Sequence, residues 1–170
     1  MKRIMQTTAD MKRSYIMSRI GSIDTSIEVL LRKALWHSGI RYRKNYSKLP
    51  GTPDIAITKY KIAIFCDGEF WHGKDWESKK TEIRSNRDYW ISKIERNIGR
   101  DNEVNQRLCG SGWIVLRFWG KQILDDLTGC VNDINEVIFS SKVETYSSSR
   151  YSCDIYPCWL DSTYSENSSY

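Results

Sequence analysis

The chain has 170 residues, of which 40% are hydrophobic and 28% charged, and it carries a formal net charge of +5. This length corresponds to one domain. No segment approaches the roughly 18 consecutive apolar residues of a membrane-spanning helix, and the N-terminus lacks the apolar core of a signal peptide. The five cysteines are odd in number and far apart, which argues against a disulfide framework or a metal-binding CxxC pair. We therefore expect a protein of the reducing cytoplasm with no membrane partner.

The positive charge lies within residues 1–139, because residues 140–170 are net acidic. Such a surplus suits a polyanionic partner, although many cytoplasmic enzymes are also slightly basic. Several of the seven tryptophans lie beside Lys, Arg or Gly and not within apolar runs, so their rings are candidates for contact with bases.

The predicted elements begin with a basic arm over residues 1–20 that becomes helical. The sequence Thr25-Ser26-Ile27-Glu28 has the form of a capping box and opens a helix over 25–38. Short β-type segments then predict a meander of three strands, over 41–46, 54–58 and 61–66. Apolar periodicity predicts a long amphipathic helix over 85–108, a strand follows over 113–118, and a last helix covers 123–138.

This order predicts an α/β domain over residues 1–139, with a mixed sheet and flanking helices. Residues 140–170 contain ten serines and five tyrosines with few aliphatic residues. Burial there would hardly offset the entropy of ordering the chain, so we expect a loosely ordered tail.

Two carboxylates are candidates for metal binding. The turn before Asp54 delivers its carboxylate to the start of an apolar strand, where Asp is disfavoured, so Asp54 either caps the turn or binds a cation such as Mg²⁺. Antiparallel pairing of strands 54–58 and 61–66 would bring Asp54 beside Asp67. A shared cation would relieve their repulsion; the alternative is two solvated turn residues.

The long helix places Asp101 on its apolar face, where an unpaired carboxylate is costly. Its partner is either His72, which would then be an oriented general base, or a nearby arginine such as Arg96 or Arg100. Lys93, Arg96 and Arg100 lie on another face of this helix, which is either solvated or follows DNA phosphates, with Phe70 and Trp71 as wedges between bases.

Together these motifs resemble the very short patch repair (Vsr) mismatch endonucleases of the PD-(D/E)XK nuclease superfamily. The resemblance spans about residues 7–138. It rests on several ordered motifs: Met17–Ile20, Asp24-Thr25-x-Ile27-Glu28, Leu49-Pro50-Gly51-x-Pro53-Asp54, Ile64-Phe65-x-x-Gly68-x-Phe70-Trp71-His72, Trp90-x-x-Lys93-Ile94, Arg100-Asp101, and Gly112-Trp113-x-Val115-Leu116 with Trp119.

The resemblance implies a Mg²⁺-dependent nick beside a T:G mismatch that arises when 5-methylcytosine deaminates, and hence a functional link to a DNA cytosine methyltransferase. Asp54 resembles the metal-binding aspartate, Cys66 a ligand through its backbone carbonyl, and Glu28 the carboxylate that holds metal-bound water. His72 resembles the general base, and Asp101 the residue that orients it.

The resemblance also implies contacts with double-stranded DNA. Phe70 and Trp71 resemble the aromatic residues inserted beside the mismatch, and Trp90 is a weaker candidate for the same role. The N-terminal segment resembles an arm that clasps the duplex, with Lys12, Arg13 and Arg19 among its cations. A nickase cuts one strand with one active site, which favours a monomer.

The sequence departs from the family at two places. The best-known members hold a structural zinc, but the matching positions here are Glu69, Lys74, Trp76 and Lys121, so we predict no zinc and expect Glu69 to pair with Lys121 or Lys74. Asp67 replaces a histidine that lies near the scissile phosphate, and we predict that it serves as a further metal ligand.

This second departure leaves two alternatives open. One is a related restriction or defence nuclease that acts on duplex DNA without mismatch preference. The other is a catalytically silent DNA-binding module, although DNA binding alone does not need Asp54, His72 and Asp101 together.

Overall fold

The computed structural model describes residues 23–83 and 86–146. Lys12, Arg13 and Arg19 of the predicted arm lie outside the described residues. In chain order the elements are α1 (Ser26–His37), β1 (Arg43–Lys44), β2 (Ile55–Ile57), β3 (Ile62–Asp67), α2 (Trp76–Lys79), α3 (Arg87–Gly110), β4 (Ile114–Trp119), α4 (Gly120–Asp125) and α5 (Leu127–Tyr146). Among the described residues, no helix is long and apolar enough to cross a membrane.

The four strands form one sheet in the order β1-β2-β3-β4. β1 pairs with β2 and β2 with β3 in antiparallel fashion, as predicted for the meander. β4 pairs in parallel with β3, from Ile62 opposite Ile114 to Asp67 opposite Trp119. The predicted mixed sheet is confirmed, and α3 lies in the connection between the two parallel strands.

Helices cover both faces of this sheet. Alternate residues Ile62 and Ile64 of β3 pack into a core with residues of α1 and α5, while Ala63 and Phe65 pack with Val104 and Leu108 of α3. A strand buried on both faces has few polar side chains, as β3 does until its last residue, Asp67. The site described below is built around that strand end.

Two details differ from the sequence predictions. The predicted last helix is divided into α4 and α5, because Asp126 ends α4 and its Oδ1 accepts a hydrogen bond from the Gly129 amide (2.8 Å), which caps α5. The predicted first strand is reduced to Arg43–Lys44, and both residues are exposed.

The last helix extends past residue 140, where the loosely ordered tail was predicted to begin. α5 continues to Tyr146, and the Ser141 hydroxyl donates to the Val137 carbonyl (2.8 Å) within the helix. The rest of the predicted tail, residues 147–170, lies outside the described residues.

The turn before Asp54 supports a test of how tightly it packs on α3. Gly51 has φ +74°, and a Cβ there would lie 2.5 Å from Val104 Cγ1, whereas Gly39 has φ +79° and no atom within 4 Å of its Cβ position. Gly51→Ala should lower the free energy of unfolding by about 2–4 kcal/mol, and Gly39→Ala by only about 1–2 kcal/mol. Urea unfolding measures both, and equal losses would contradict close packing of the turn.

Candidate active site

Asp54 lies beside the end of β3, as the antiparallel pairing predicted. Its Oδ2 accepts a hydrogen bond from the Cys66 amide (2.7 Å). Its Oδ1 accepts none from the described residues. The pKa of Asp54 is raised to about 6, mainly by burial and also by the charges of Glu28 and Asp67, while the hydrogen bond from the Cys66 amide opposes the rise. The site therefore concentrates negative charge that a cation would stabilise.

Glu28 performs the capping role predicted for it. Its Oε1 accepts hydrogen bonds from the Thr25 hydroxyl (2.6 Å) and the Thr25 amide (3.3 Å), and its Oε2 accepts one from the Asp24 amide (3.0 Å). The residue is only 3% exposed. Because its charge also acts on Asp54, the same carboxylate both begins α1 and belongs to the acidic end of the sheet.

His72 pairs with Asp101, so the first of the two partners considered for Asp101 is confirmed. His72 Nδ1 lies 2.6 Å from Asp101 Oδ2, while His72 Nε2 has no hydrogen-bond partner among the described residues. Burial disfavours the imidazolium, but the hydrogen bond to Asp101 and the charges of Asp67 and Asp101 outweigh it and raise the pKa of His72. This arrangement orients one ring nitrogen and leaves the other for a proton.

The arginine that contacts Asp101 is neither Arg96 nor Arg100. It is Arg117 of β4, whose Nη2 lies 3.3 Å from Asp101 Oδ1. Arg117 Nη1 also donates to Asp67 Oδ2 (2.7 Å), and Asp67 Oδ1 lies 3.6 Å from His72 Nδ1. Asp67 thus belongs to a buried network with His72, Asp101 and Arg117, whereas it was predicted to join Asp54 as a metal ligand.

Four rings form a half-exposed aromatic cluster next to His72. Ring centroids lie 5.3 Å apart for Phe70 and Trp71, 5.7 Å for Trp71 and Trp90, and 5.1 Å for Tyr89 and Trp90. Phe70 and Tyr89 are 44% and 58% exposed. The three predicted DNA-contacting rings therefore lie together, and Tyr89, which was not predicted, extends their surface.

Cations accompany the aromatic cluster along α3. Lys93 Nζ lies 5.0 Å from the Trp71 ring centroid and 5.4 Å from that of Trp90. Arg96 and Arg100 follow on the same helix and are exposed. Asn97 Nδ2 donates to the Trp71 carbonyl (2.9 Å), which fixes the loop against the helix. Rings and positive charge together form a surface suited to bases and phosphates.

Glu69 ties its loop to the sheet, but differently from the prediction. Its Oε1 accepts a hydrogen bond from the backbone amide of Lys121 (2.5 Å) at the start of α4. No ion pair within 23–83 and 86–146 joins Glu69 to a lysine side chain. Lys74 Nζ instead lies 5.7 Å from the Trp119 ring centroid. The prediction that Glu69 contacts Lys121 was right, but the predicted ion pair was wrong. The backbone amide at the start of a helix carries partial positive charge and binds the carboxylate in place of the lysine side chain.

Comparisons with known proteins identify the family. A model described as DNA mismatch endonuclease Vsr matches residues 5–78. The type II nicking enzyme V.NmeDIP of Neisseria meningitidis serogroup C is 49% identical over 127 residues, which cover 75% of this chain and 86% of that protein. This chain belongs to the Vsr family. Its fold is therefore the PD-(D/E)XK restriction-endonuclease-like α/β fold, as predicted, and it is a DNA endonuclease.

Two further relatives differ in how similar they are to this chain. The type II nicking enzyme V.HpaIIP of Haemophilus parainfluenzae is 52% identical over 115 residues, covering 68% of this chain and 82% of that protein. The DNA mismatch endonuclease Vsr of Escherichia coli K12 is 36% identical over 107 residues, covering 63% and 68%. The silent DNA-binding module is thereby set aside.

Arg117 is the member of the buried charged network that the sequence analysis missed. A charged residue inside the apolar strand Ile114–Trp119 was a usable signal, since such a residue must find a partner when the strand is buried. Its partners, Asp67 and Asp101, are both distant along the chain, so spacing alone did not indicate them.

The pairing of His72 with Asp101 predicts a change in histidine titration. Asp101→Asn should lower the pKa of His72, because the charge that stabilises the imidazolium is removed. NMR titration measures this, and His37→Gln assigns the signals, since the chain has two histidines. An unchanged pKa would contradict the pairing.

The raised pKa of His72 also makes the free energy of unfolding depend on pH. Because folding raises the pKa of His72 above its ordinary value of 6.5 and lowers the pKa of Asp101, the pair's contribution is complete just below pH 6.5, where both groups are charged. It is lost as the pH rises through the raised pKa. The stability difference between the wild type and Asp101→Asn should therefore shrink at alkaline pH.

The contact between Glu69 and Lys121 predicts an asymmetric pair of variants. Glu69→Ala should lower the free energy of unfolding by about 1 kcal/mol, while Glu69→Gln retains an acceptor and loses less. Lys121→Ala should have little effect, because only its backbone amide is used. Urea unfolding compares the three, and equal losses at both positions would support a side-chain ion pair instead.

Proposed function

We propose that this Vsr-family endonuclease nicks one strand of duplex DNA beside a T:G mismatch in a Mg²⁺-dependent reaction. The observation that carries the proposal is the meeting of two half-sites at the end of β3. One is the acidic pair of Asp54 and Glu28, and the other is the His72–Asp101 pair. Nick formation needs a cation near the phosphate and a base near the attacking water.

The donor set on the acidic side fits a hard cation. Asp54 Oδ1 and the backbone carbonyl of Cys66 would hold Mg²⁺, which prefers oxygen ligands and keeps several waters. The described residues contain no cluster of three His, Cys, Asp or Glu side chains that could hold a metal, and water would complete the coordination. When bound, Mg²⁺ lowers the pKa of water and stabilises charge on the phosphate.

His72 is proposed to act as the general base. With Nδ1–H donated to Asp101, His72 Nε2 carries the lone pair that accepts a proton from water. The carboxylate of Asp101 stabilises the imidazolium that results. Asp67 is engaged by Arg117, so we propose that it serves this half of the site and is not a metal ligand.

The aromatic cluster supports the proposed mismatch preference. Exposed rings beside the catalytic residues are suited to enter a base stack, and a mismatched step is more easily opened than a matched one. Lys93, Arg96 and Arg100 would contact phosphates along α3. A T:G substrate implies a functional link to a DNA cytosine methyltransferase, and single-strand cutting is consistent with a monomer.

The test is strand-specific nicking of T:G, other mismatched and matched duplexes, with Mg²⁺ or with EDTA. Asp54→Asn should reduce nicking at least about 10²-fold, because Asn still accepts the Cys66 amide but cannot hold the cation. The exposed Asp125→Asn variant is the matched control and should nick like the wild type. Equal cutting of matched DNA would instead indicate a restriction or defence nuclease, and cutting in EDTA would refute the metal requirement.

A further inference from the structure

All three nitrogens of the Arg117 guanidinium group lie close to an oxygen of another side chain. Nη1 donates to Asp67 Oδ2 (2.7 Å), Nε donates to Asn105 Oδ1 (3.2 Å), and Nη2 lies 3.3 Å from Asp101 Oδ1. Its Cζ lies 4.6 Å from the Phe65 ring centroid. The side chain is 11% exposed, so these contacts replace nearly all of its hydration.

A network of this kind is poorly explained by stability alone. Replacing a buried ion pair by apolar residues of similar volume is often neutral or stabilising, and the neighbours of Arg117 in β4 are apolar. The network ends on His72, the proposed general base. Its geometry therefore points to a role in holding that imidazole.

His72 Nδ1 has two carboxylates within reach. Asp101 Oδ2 is at 2.6 Å and Asp67 Oδ1 at 3.6 Å. Both could accept the same proton, and the ring would point differently in each case. Arg117 binds Oδ2 of Asp67 and Oδ1 of Asp101, which leaves Oδ2 of Asp101 directed at the ring.

We propose that Arg117 is the positioning residue of the His72–Asp101 pair, a proposal that rests on the nuclease function proposed above. Arg117 holds the Asp101 carboxylate through Oδ1, which leaves Oδ2 for His72. It also neutralises Asp67, so that Asp67 does not compete with Asp101 for His72 Nδ1. As a result, the imidazole is held in one orientation, in which Nε2 would face the attacking water.

Arg117→Met tests this by removing the charge while keeping an extended apolar side chain. We expect kcat for Mg²⁺-dependent nicking to fall about 10–100-fold, the range typical of residues that orient a site. KM for the duplex should stay within about twofold, because the buried Arg117 does not contact DNA. Arg41→Met is the matched control, since Arg41 is exposed and stacks on Trp36 away from this network.

A second substitution separates positioning from packing. Asp67→Asn in the Arg117→Met background removes the competing carboxylate, so kcat should recover about tenfold over Arg117→Met alone. Arg117→Lys should be intermediate, because an ammonium lacks the planar fork that engages both carboxylates. If Arg117→Met does not fold, Arg117→Lys with and without Asp67→Asn provides the same comparison.

Three outcomes would overturn the proposal. They are an unchanged kcat in Arg117→Met, a change in KM with kcat unaffected, and a double variant whose kcat is no higher than that of Arg117→Met. The His72 Nδ1 proton, observed by NMR without DNA or metal, gives an independent readout. Its hydrogen-bonded signal should change in Arg117→Met and return in the double variant. A wild type that nicks no duplex would refute the proposed function while leaving this NMR test of Arg117 intact.

Discussion

The period-two alternation of side chains along β3 divides the site into two halves that meet where the strand ends. Ile62 and Ile64 face α1 and α5, and Cys66 follows them on that side. Phe65 faces α3, and Asp67 follows it on the other. Adjacent residues at one strand end therefore border two different clusters of charged side chains. The acidic pair gathers around Cys66, and the charged network around Asp67.

The parallel pairing of β3 with β4 makes the second half possible. Arg117 stands opposite Phe65 in the register, so its side chain emerges on the α3 face between Asp67 and Asp101. α3 supplies Asp101 and Asn105 from one buried stripe. Asp67 and Arg117 come from neighbouring strands, and neither could be moved by one residue without facing the wrong side of the sheet.

Local patterns were enough to predict what lies close in sequence or follows from one period. The capping box of α1 and the meander that brings Asp54 to Cys66 needed only turn and strand signals. The His72–Asp101 pair was one of two alternatives that the carboxylate on the apolar stripe left open, the other being a nearby arginine. The resemblance to the Vsr family added a second role for Glu28 that capping alone did not suggest.

Long-range pairing explains what the sequence did not predict. The contact between Arg117 and Asp67 spans 50 positions and depends on the order of strands in the sheet. Glu69 was predicted to pair with a lysine side chain, yet its carboxylate accepts a hydrogen bond from the backbone amide of Lys121. A backbone contact of this kind does not depend on residue type, so the sequence does not indicate it. The division of the last helix at Asp126 was missed because the apolar stripe continues across the break.

The ionised carboxylate of Asp54 lowers the stability of the folded chain at neutral pH. Folding raises its pKa from 3.8 to about 6, a difference that corresponds to roughly 3 kcal/mol. Since the raised group is a carboxyl, its ionised form destabilises the folded chain above pH 6, and this penalty is relieved as the pH falls toward 3.8. A cation bound at Asp54 would relieve the same penalty at neutral pH. The cluster of acids is therefore most costly under the conditions in which its proposed ligand would bind.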